Sequence, residues 1–304
     1  MTQGSVLVTG GSGFIGHWTL APLAQRGFDV HVAARRPWIN GIGQFHSVNL
    51  LDANESKQLI ASVRPTHILH CAWDVTHGRF WNAPENLDWV AATLRLTRAF
   101  AMCEGRRFVG VGTCAEYDWS DDGVRPRRED DLLRPTSLYG QAKASTASVL
   151  QAFFPIEKIS FAWARMFHLF GPREAPGRLV ASVARALIAG ERAVCGAGHV
   201  VRDFMPVEEA GAALAMLIES DVQGPVNVAT GHGTSVETVA RLLGEISGRP
   251  DLVALGALPD AVAAPSVMAA DVTRLHQEVG FNAVVDLKPA LSAALQYWQE
   301  HSLQ

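Results

Sequence analysis

The stretch Ser5–Gly16, SVLVTGGSGFIG, constrains this chain more than any other. Val6, Leu7, Val8 and Thr9 read as a short buried strand. The strand runs straight into Gly10, Gly13 and Gly16 at three-residue spacing, and an amphipathic run follows from Phe14 to Gln25. Strand, glycine turn and helix N-terminus in that order make a site for an anionic pyrophosphate. Gly10 serves the tight turn, Gly13 lets backbone N–H groups approach the phosphates, and Gly16 allows close helix–strand packing. An ordinary loop can also carry three glycines; the flanking strand and helix make the pattern specific.

Composition narrows the class. A chain of 304 residues, 48% apolar, can bury a sizeable core as one large domain or two intimate ones. A formal net charge of −4 argues against nucleic acid or a membrane surface as the main partner. No apolar run is long enough to span a bilayer, and the first strand starts too early to leave room for a signal peptide. Cys71, Cys103, Cys114 and Cys195 show no CxxC spacing, so neither a disulfide framework nor a zinc site is expected. A cytoplasmic protein is the expectation.

Beyond Gly27, FDVHVAA alternates as a strand and ends at Ala34, Arg35 and Arg36. In dinucleotide folds the end of this second strand faces the adenine ribose. An acid there suits the 2′-hydroxyl of NAD, and arginine suits the 2′-phosphate of NADP. With two arginines and no acid, NADP(H) is favoured over NAD; two solvated surface arginines are the competing reading. Phe45–Leu51 is a further apolar run that closes on Asn49, Leu50, Leu51 and Asp52 before a helix to about Val63. THILHCA (Thr66–Ala72) reads as a buried strand, Asn86–Met102 as a helix and Arg107–Gly112 as the next strand. The order β-α-β-α-β-α-β specifies a doubly wound parallel sheet. Ligands then sit beyond the carboxyl ends of its strands, where Ala72, Thr113 and the glycine turn converge.

A long polar loop from Cys114 to Ser137 leads to a helix that opens with Tyr139 and Lys143 and runs to about Phe153. Four apart, these two side chains share one helix face. The ammonium is expected to lower the phenol's pKa from about 10 and make Tyr139 a usable proton donor or acceptor.

With these residues in view, the chain resembles the extended short-chain dehydrogenase/reductase family of NAD(P)-dependent nucleotide-sugar epimerases, dehydratases and reductases. Thr9–Gly16 resembles its TGxxGxxG motif, Tyr139 and Lys143 its YxxxK, and Thr113 the Ser/Thr that completes the triad. Arg165–Pro172 (RMFHLFGP) resembles its RxFNxYGP segment, and Val201–Phe204 its RDF segment. The resemblance covers essentially the whole chain. It implies an α/β fold: a Rossmann-type doubly wound parallel sheet with a smaller C-terminal α/β substrate domain. The cofactor domain is expected over 1–166, with 201–224 returning to it, and the nucleotide-sugar domain over 167–200 and 225–304.

The resemblance also implies roles. Tyr139 would exchange a proton with the sugar oxygen, Lys143 would hold the nicotinamide ribose, and Thr113 would orient that oxygen. Cofactor contacts are expected from Gly10, Gly13, Phe14, Ile15, Gly16, Arg35, Arg36, Asn49, Leu50, Ala72, Tyr139 and Lys143. Substrate contacts are expected from Thr113, Cys114, His168, Arg178 and Arg202. Arg178 is the candidate diphosphate contact and Arg202 the contact to the nucleotide part, although an arginine at a helix start is often simply solvated. His168 stands where many relatives have Asn; touching substrate and packing in the wall are its two readings. Glu116 occupies a usually apolar position, and a solvated loop is the default for it. A homodimer through the Asn86–Met102 and Tyr139–Phe153 helices is expected, with core packing as the other explanation of their apolar residues.

Departures from family patterns select the branch. Dehydratases carry Asp-Glu after the triad Thr, where this chain has Cys114 and Ala115, so that acid–base pair is missing. The Cys/His pair of fucose-synthase-type epimerisation is out of register at Cys114 and replaced at Leu179. An NADPH-dependent 4-keto reductase of a nucleotide-activated deoxy sugar is the favoured reading. A 4-epimerase with bound NAD is the first alternative, and a non-catalytic cofactor-sensing protein of the same fold the second. In the C-terminal half, Gly224–Ala229 reads as a strand and Val236–Ser247 as a helix. A loop is expected over Gly256–Pro265, and helices over Asp271–Val279 and Leu287–His301.

Overall fold

Every second residue of the first strand faces a different apolar layer. In β1 (Ser5–Thr9), Val6 and Val8 join one buried cluster and Leu7 the other. A strand covered on both faces belongs inside a helix–sheet–helix sandwich. The computed structural model describes residues 3–36, 41–196, 198–258, 265–283 and 286–301. In chain order it contains β1, α1 (Gly16–Gln25), β2 (Asp29–Ala34), β3 (Gln44–Ser47), α2 (Ala53–Val63) and β4 (His67–His70). Next come α3 (Glu85–Met102), β5 (Arg107–Thr113), α4 (Leu138–Phe153), β6 (Ser160–Met166), β7 (His168–Phe170) and α5 (Leu179–Ala189). They are followed by β8 (Ala193–Val194), β9 (Val201–Pro206), α6 (Val207–Glu219), β10 (Gly224–Val228), β11 (Gly233–Ser235) and α7 (Val236–Ile246). The chain closes with β12 (Val253–Ala254), β13 (Val267–Met268), α8 (Thr273–Gln277) and α9 (Leu287–His301).

Seven strands form one sheet in the order β10-β6-β5-β4-β1-β2-β3, every pair parallel. From β1 the chain winds outward to β3, then crosses back to β4 on the other side of β1. That reversal opens a crevice at the carboxyl ends of β1 and β4. A smaller sheet carries β9 at its centre, paired with β7, β11 and β13. Helices α5, α7 and α9 pack a separate apolar cluster beside it around Val183, Leu187, Leu243 and Leu291.

Local chemistry sets the boundaries that matter for the crevice. Gly10 adopts φ +67°, and a Cβ there would stand 2.9 Å from both the Ala72 nitrogen and Cα. A Cβ on Gly16 would meet the Gly10 carbonyl at 2.5 Å. The Asp52 carboxylate caps α2 by accepting from the Asn54 and Glu55 N–H groups. The Ser137 hydroxyl caps α4 by accepting from Gly140.

The sequence expectations name neither β6 nor α6. Strand β6 lies next to β5, and α6 packs across α1 so closely that a Cβ on Gly211 would be 2.3 Å from the Trp18 carbonyl oxygen. The segment that returns to the large sheet is Val207–Val228, through α6 and β10, whereas Val201–Pro206 stays with the small one. The helix expected over Asp271–Val279 shortens to Thr273–Gln277. Of the loop expected over Gly256–Pro265, residues 259–264 lie outside the described residues. No helix among the described residues is long and apolar enough to cross a membrane.

Candidate active site

A cavity of about 590 Å³ fills the crevice at the carboxyl ends of the strands. Its cofactor side is lined by Gly10, Gly13, Phe14, Ile15, Gly16, Arg35, Asn49, Leu50 and Ala72. Arg36 is exposed and lies outside this lining. The side chain of Arg35 is within electrostatic reach of the Asp74 carboxylate, which also lines the cavity. The glycine cradle is of the kind that backbone alone can fill: side chains at Gly10 or Gly16 would collide with it. It stands at the N-terminus of α1, where the helix dipole favours an anion. The residues present therefore fit a dinucleotide.

Thr113, Cys114, Tyr139, Lys143, His168 and Arg178 line the same cavity. The approach of α4 brings Tyr139 there, and Gly140 permits it, since a Cβ at that position would be 2.6 Å from the Ala115 carbonyl oxygen. The Thr113 side chain is close enough to the Tyr139 phenol to favour its ionised form, and its oxygen accepts from the Ala115 N–H at 3.2 Å.

The electrostatics differ from the expectation at the Tyr–Lys pair. The phenol of Tyr139 is pushed upward from its ordinary value, first by burial and further by the charges of Glu116 and Cys114, while Thr113 and Arg178 pull the other way. Desolvation outweighs any help from the ammonium. Lys143 is itself pulled down to about 7 by burial, against the opposing pull of Glu116 and Cys71. Its Nζ donates to the Val111 carbonyl oxygen at 2.7 Å and lies 3.9 Å from the centre of the Trp73 ring.

Other candidates are placed as follows. Cys114 is a buried thiol raised to about 12, first by desolvation. His168 is lowered to about 3 by burial and by Arg202 and Arg178, which leaves it neutral at physiological pH. Arg178 donates from Nε to Glu174 at 2.9 Å and from Nη2 to the Leu169 carbonyl oxygen at 3.1 Å. Arg202 does not line the cavity: its Nη1 is tied to the carbonyl oxygens of Val201 and Pro265, at 2.8 and 2.9 Å. Glu116 is not solvated. It is fully buried, because Trp163 and Arg165 on the neighbouring strand supply donors to its carboxylate.

Sequence reasoning missed the aromatic wall around Tyr139. The rings of Phe80, Trp81 and Trp73 stand edge-on to the phenol ring, 4.9, 5.9 and 6.5 Å away centre to centre. The signal was present in AWDVTHGRFW (Ala72–Trp81), an aromatic-rich stretch at the end of a parallel strand.

Comparison with known proteins agrees with this architecture. UDP-glucuronic acid decarboxylase 1 of Xenopus tropicalis is 25% identical over 97% of this chain and 72% of its own length. The dTDP-6-deoxy-L-talose 4-dehydrogenase (NAD(P)(+)) of Kitasatospora kifunensis is 29% identical over 84% of this chain and 83% of its own. In fold, the UDP-glucose 4-epimerase of Thermotoga maritima, solved with UDP-glucose, superposes with a TM-score of 0.88 at 24% identity, covering 99% of this chain and all of that one. The family model described as "NAD dependent epimerase/dehydratase family" matches residues 6–229, and the chain belongs to that family.

Proposed function

We propose that the chain reduces the C4 keto group of a nucleotide-activated 4-keto-deoxy sugar with NADPH. The observation that carries this reading is Arg35, which directly follows β2 on the cavity wall beside Ala33 and Ala34 with no acid among the three. A guanidinium there offers a 2′-phosphate a paired set of donors. Two further facts support it. Cys114 and Ala115 supply no acid–base pair for dehydration, and one relative is named a 4-dehydrogenase using NAD(P)+, whose reverse reaction is a 4-keto reduction.

The cofactor, when bound, supplies the hydride. The glycine turn and the start of α1 would hold its pyrophosphate, and Asn49, Leu50 and Ala72 would flank its adenosine and nicotinamide ends. Lys143 would hold the nicotinamide ribose. Tyr139, kept protonated by its burial, gives its proton to the C4 oxygen while Thr113 fixes that oxygen's position. Neutral His168 would hydrogen-bond the sugar or its phosphate, with Arg178 beside it for the diphosphate charge. Arg202 would have to leave its carbonyl partners to reach the nucleotide part. Exposed Leu87 and Met102 on α3 and Val149 on α4 support a homodimer through these two helices.

The test is a titration of NADPH against NADH with the wild type and Arg35→Asp. A preference for NADPH that is lost or reversed in the variant is the expected result. Tight NADH binding untouched by the substitution, with two sugars interconverted and no reductant added, would replace the reductase by a 4-epimerase.

A further inference from the structure

Behind the reacting groups lies a sealed polar cluster that the reaction as described does not use. The Glu116 carboxylate is fully buried and accepts three hydrogen bonds of 2.9 Å, from the Thr113 N–H, the Trp163 indole and the Arg165 Nε. Arg165 donates onward to the Tyr117 hydroxyl at 3.0 Å and to the Glu129 carbonyl oxygen at 2.9 Å. The Tyr117 hydroxyl in turn donates to Asn227 on β10 at 2.6 Å.

Strand β5 gives up two side chains to make room for this cluster. A Cβ on Gly112 would stand 2.1 Å from the Trp163 Nε1 and 2.5 Å from a Glu116 oxygen. One on Gly110 would stand 2.3 Å from the Trp163 ring. The register sets Gly110 beside Trp163 and Gly112 beside Arg165. A buried ion pair seldom adds stability over apolar residues of the same volume. Glu116 of this pair lies three residues from Thr113 and closes a capping box with it, so the pair acts directly on the Thr113 backbone.

We propose that Glu116 is a positioning residue of the reacting centre: it clamps the Thr113 backbone against the Trp163–Arg165 pair, and it supplies the negative charge behind Tyr139 and Lys143. The inference rests on reading Thr113, Tyr139 and Lys143 as the reacting groups. Clamped this way, Thr113 presents its hydroxyl to the phenol from a fixed backbone. The groups in contact with the Lys143 ammonium or acting on it electrostatically are the Trp73 ring and the Cys71 thiol after β4, neutral His70 on β4, the Val111 carbonyl on β5, the Trp163 ring on β6, and Glu116. Glu116 is the carboxylate of that set. The groups that act electrostatically on the phenol are Thr113, Glu116, Cys114 and Arg178. One negative charge thus favours both the charged ammonium and the protonated phenol, the proton inventory of a site that donates.

The experiment measures NADPH affinity by cofactor fluorescence from pH 5.5 to 9.5 on the full chain, with no sugar required. The proteins are the wild type, Glu116→Gln and the pair Glu116→Gln/Arg165→Met, which leaves no lone buried cation. Lys143→Met serves as the reference that identifies the Lys143-dependent step. The wild type is expected to bind more weakly as pH rises through the Lys143 transition near 7. In the variants that midpoint should move down by about one pH unit. With a reducible ketosugar, kcat should also fall about 10- to 100-fold while KM stays within about threefold. A variant that folds, by circular dichroism, yet keeps the wild-type midpoint would overturn the proposal, as would a wild type with no Lys143-dependent step. Should Glu116→Gln fail to fold, the double variant decides alone. Failure of the wild type to reduce any ketosugar would sink the functional reading instead and leave the midpoint comparison intact.

Discussion

The two ends of the cavity are both built around glycines, and the glycines do opposite things. At the β1–α1 turn, Gly10, Gly13 and Gly16 keep side chains out so that backbone can approach a ligand. At the β5–β6 seam, Gly110 and Gly112 keep side chains out so that Trp163 and Glu116 can enter. One end is a shape made from seven consecutive residues. The other is an arrangement of charge made by pairing strands more than fifty residues apart in the chain. The glycine turn should therefore fail on added volume, and the reacting end on lost charge.

The largest effect that tests this contrast is expected at Tyr139. Tyr139→Phe removes a proton donor and adds no volume. It should lower kcat by roughly 10²- to 10⁴-fold while NADPH titrations give the wild-type affinity. A comparable loss of cofactor affinity would show that the two ends are not separable. The converse change is Gly10→Ala, which places a Cβ 2.9 Å from the Ala72 backbone at φ +67°. It should cost about 1–3 kcal/mol of stability and weaken NADPH binding at least tenfold; unfolding and cofactor titrations read both. Wild-type affinity in a folded Gly10→Ala protein would contradict the volume argument.

The same contrast explains what the sequence made legible. The glycine turn, the parallel sheet, the Arg35 position and the Tyr139–Lys143 spacing are all local patterns, and each lines the crevice. The Thr113–Glu116 spacing is that of a capping box, a local signal, but the other two donors to Glu116 come from β6, a strand whose residues carry no sign of their partner. The Tyr139 phenol defied reading for a related reason. Spacing alone brings an ammonium near it, but Phe80, Trp81 and Trp73 supply the desolvation that dominates. Helix α6 is apolar nearly all round, with Ala213, Leu214, Leu217 and Ile218 fully buried. Such a segment lacks the one-sided stripe that marks a surface helix.

A third prediction concerns Glu174, the ion-pair partner of the cavity-lining Arg178. Glu174 is raised to about 7, first by burial and against the pull of Arg178. The folded protein holds this proton more tightly than the unfolded chain, whose value is near 4.5. The stabilisation is complete below pH 4.5 and is lost as pH rises through 7, amounting to at most about 3 kcal/mol. Glu174→Gln mimics the protonated carboxyl. Its Tm should stay level between pH 5 and 8 where the wild type declines; equal slopes would remove Glu174 as the cause.

The smallest effect is expected at Trp73, and it sharpens the contrast by asking what an aromatic wall does to a charge. Its ring centre lies 3.9 Å from the Lys143 Nζ, and its indole nitrogen donates to Asn86 at 2.8 Å, which holds the ring in place. The ring acts on the ammonium in two opposed ways. Its face attracts the cation by about 0.5–2 kcal/mol, and its bulk excludes the water that would otherwise solvate it. Trp73→Leu keeps most of the bulk and removes the attractive face. The Lys143-dependent midpoint of NADPH binding should therefore move to lower pH, by less than Glu116→Gln moves it, with affinity at pH 6 within about threefold of wild type. A midpoint that rises instead would mean that the indole works chiefly by excluding water. The reacting end would then depend on volume as well as on charge, and the contrast with the glycine turn would narrow to one of degree.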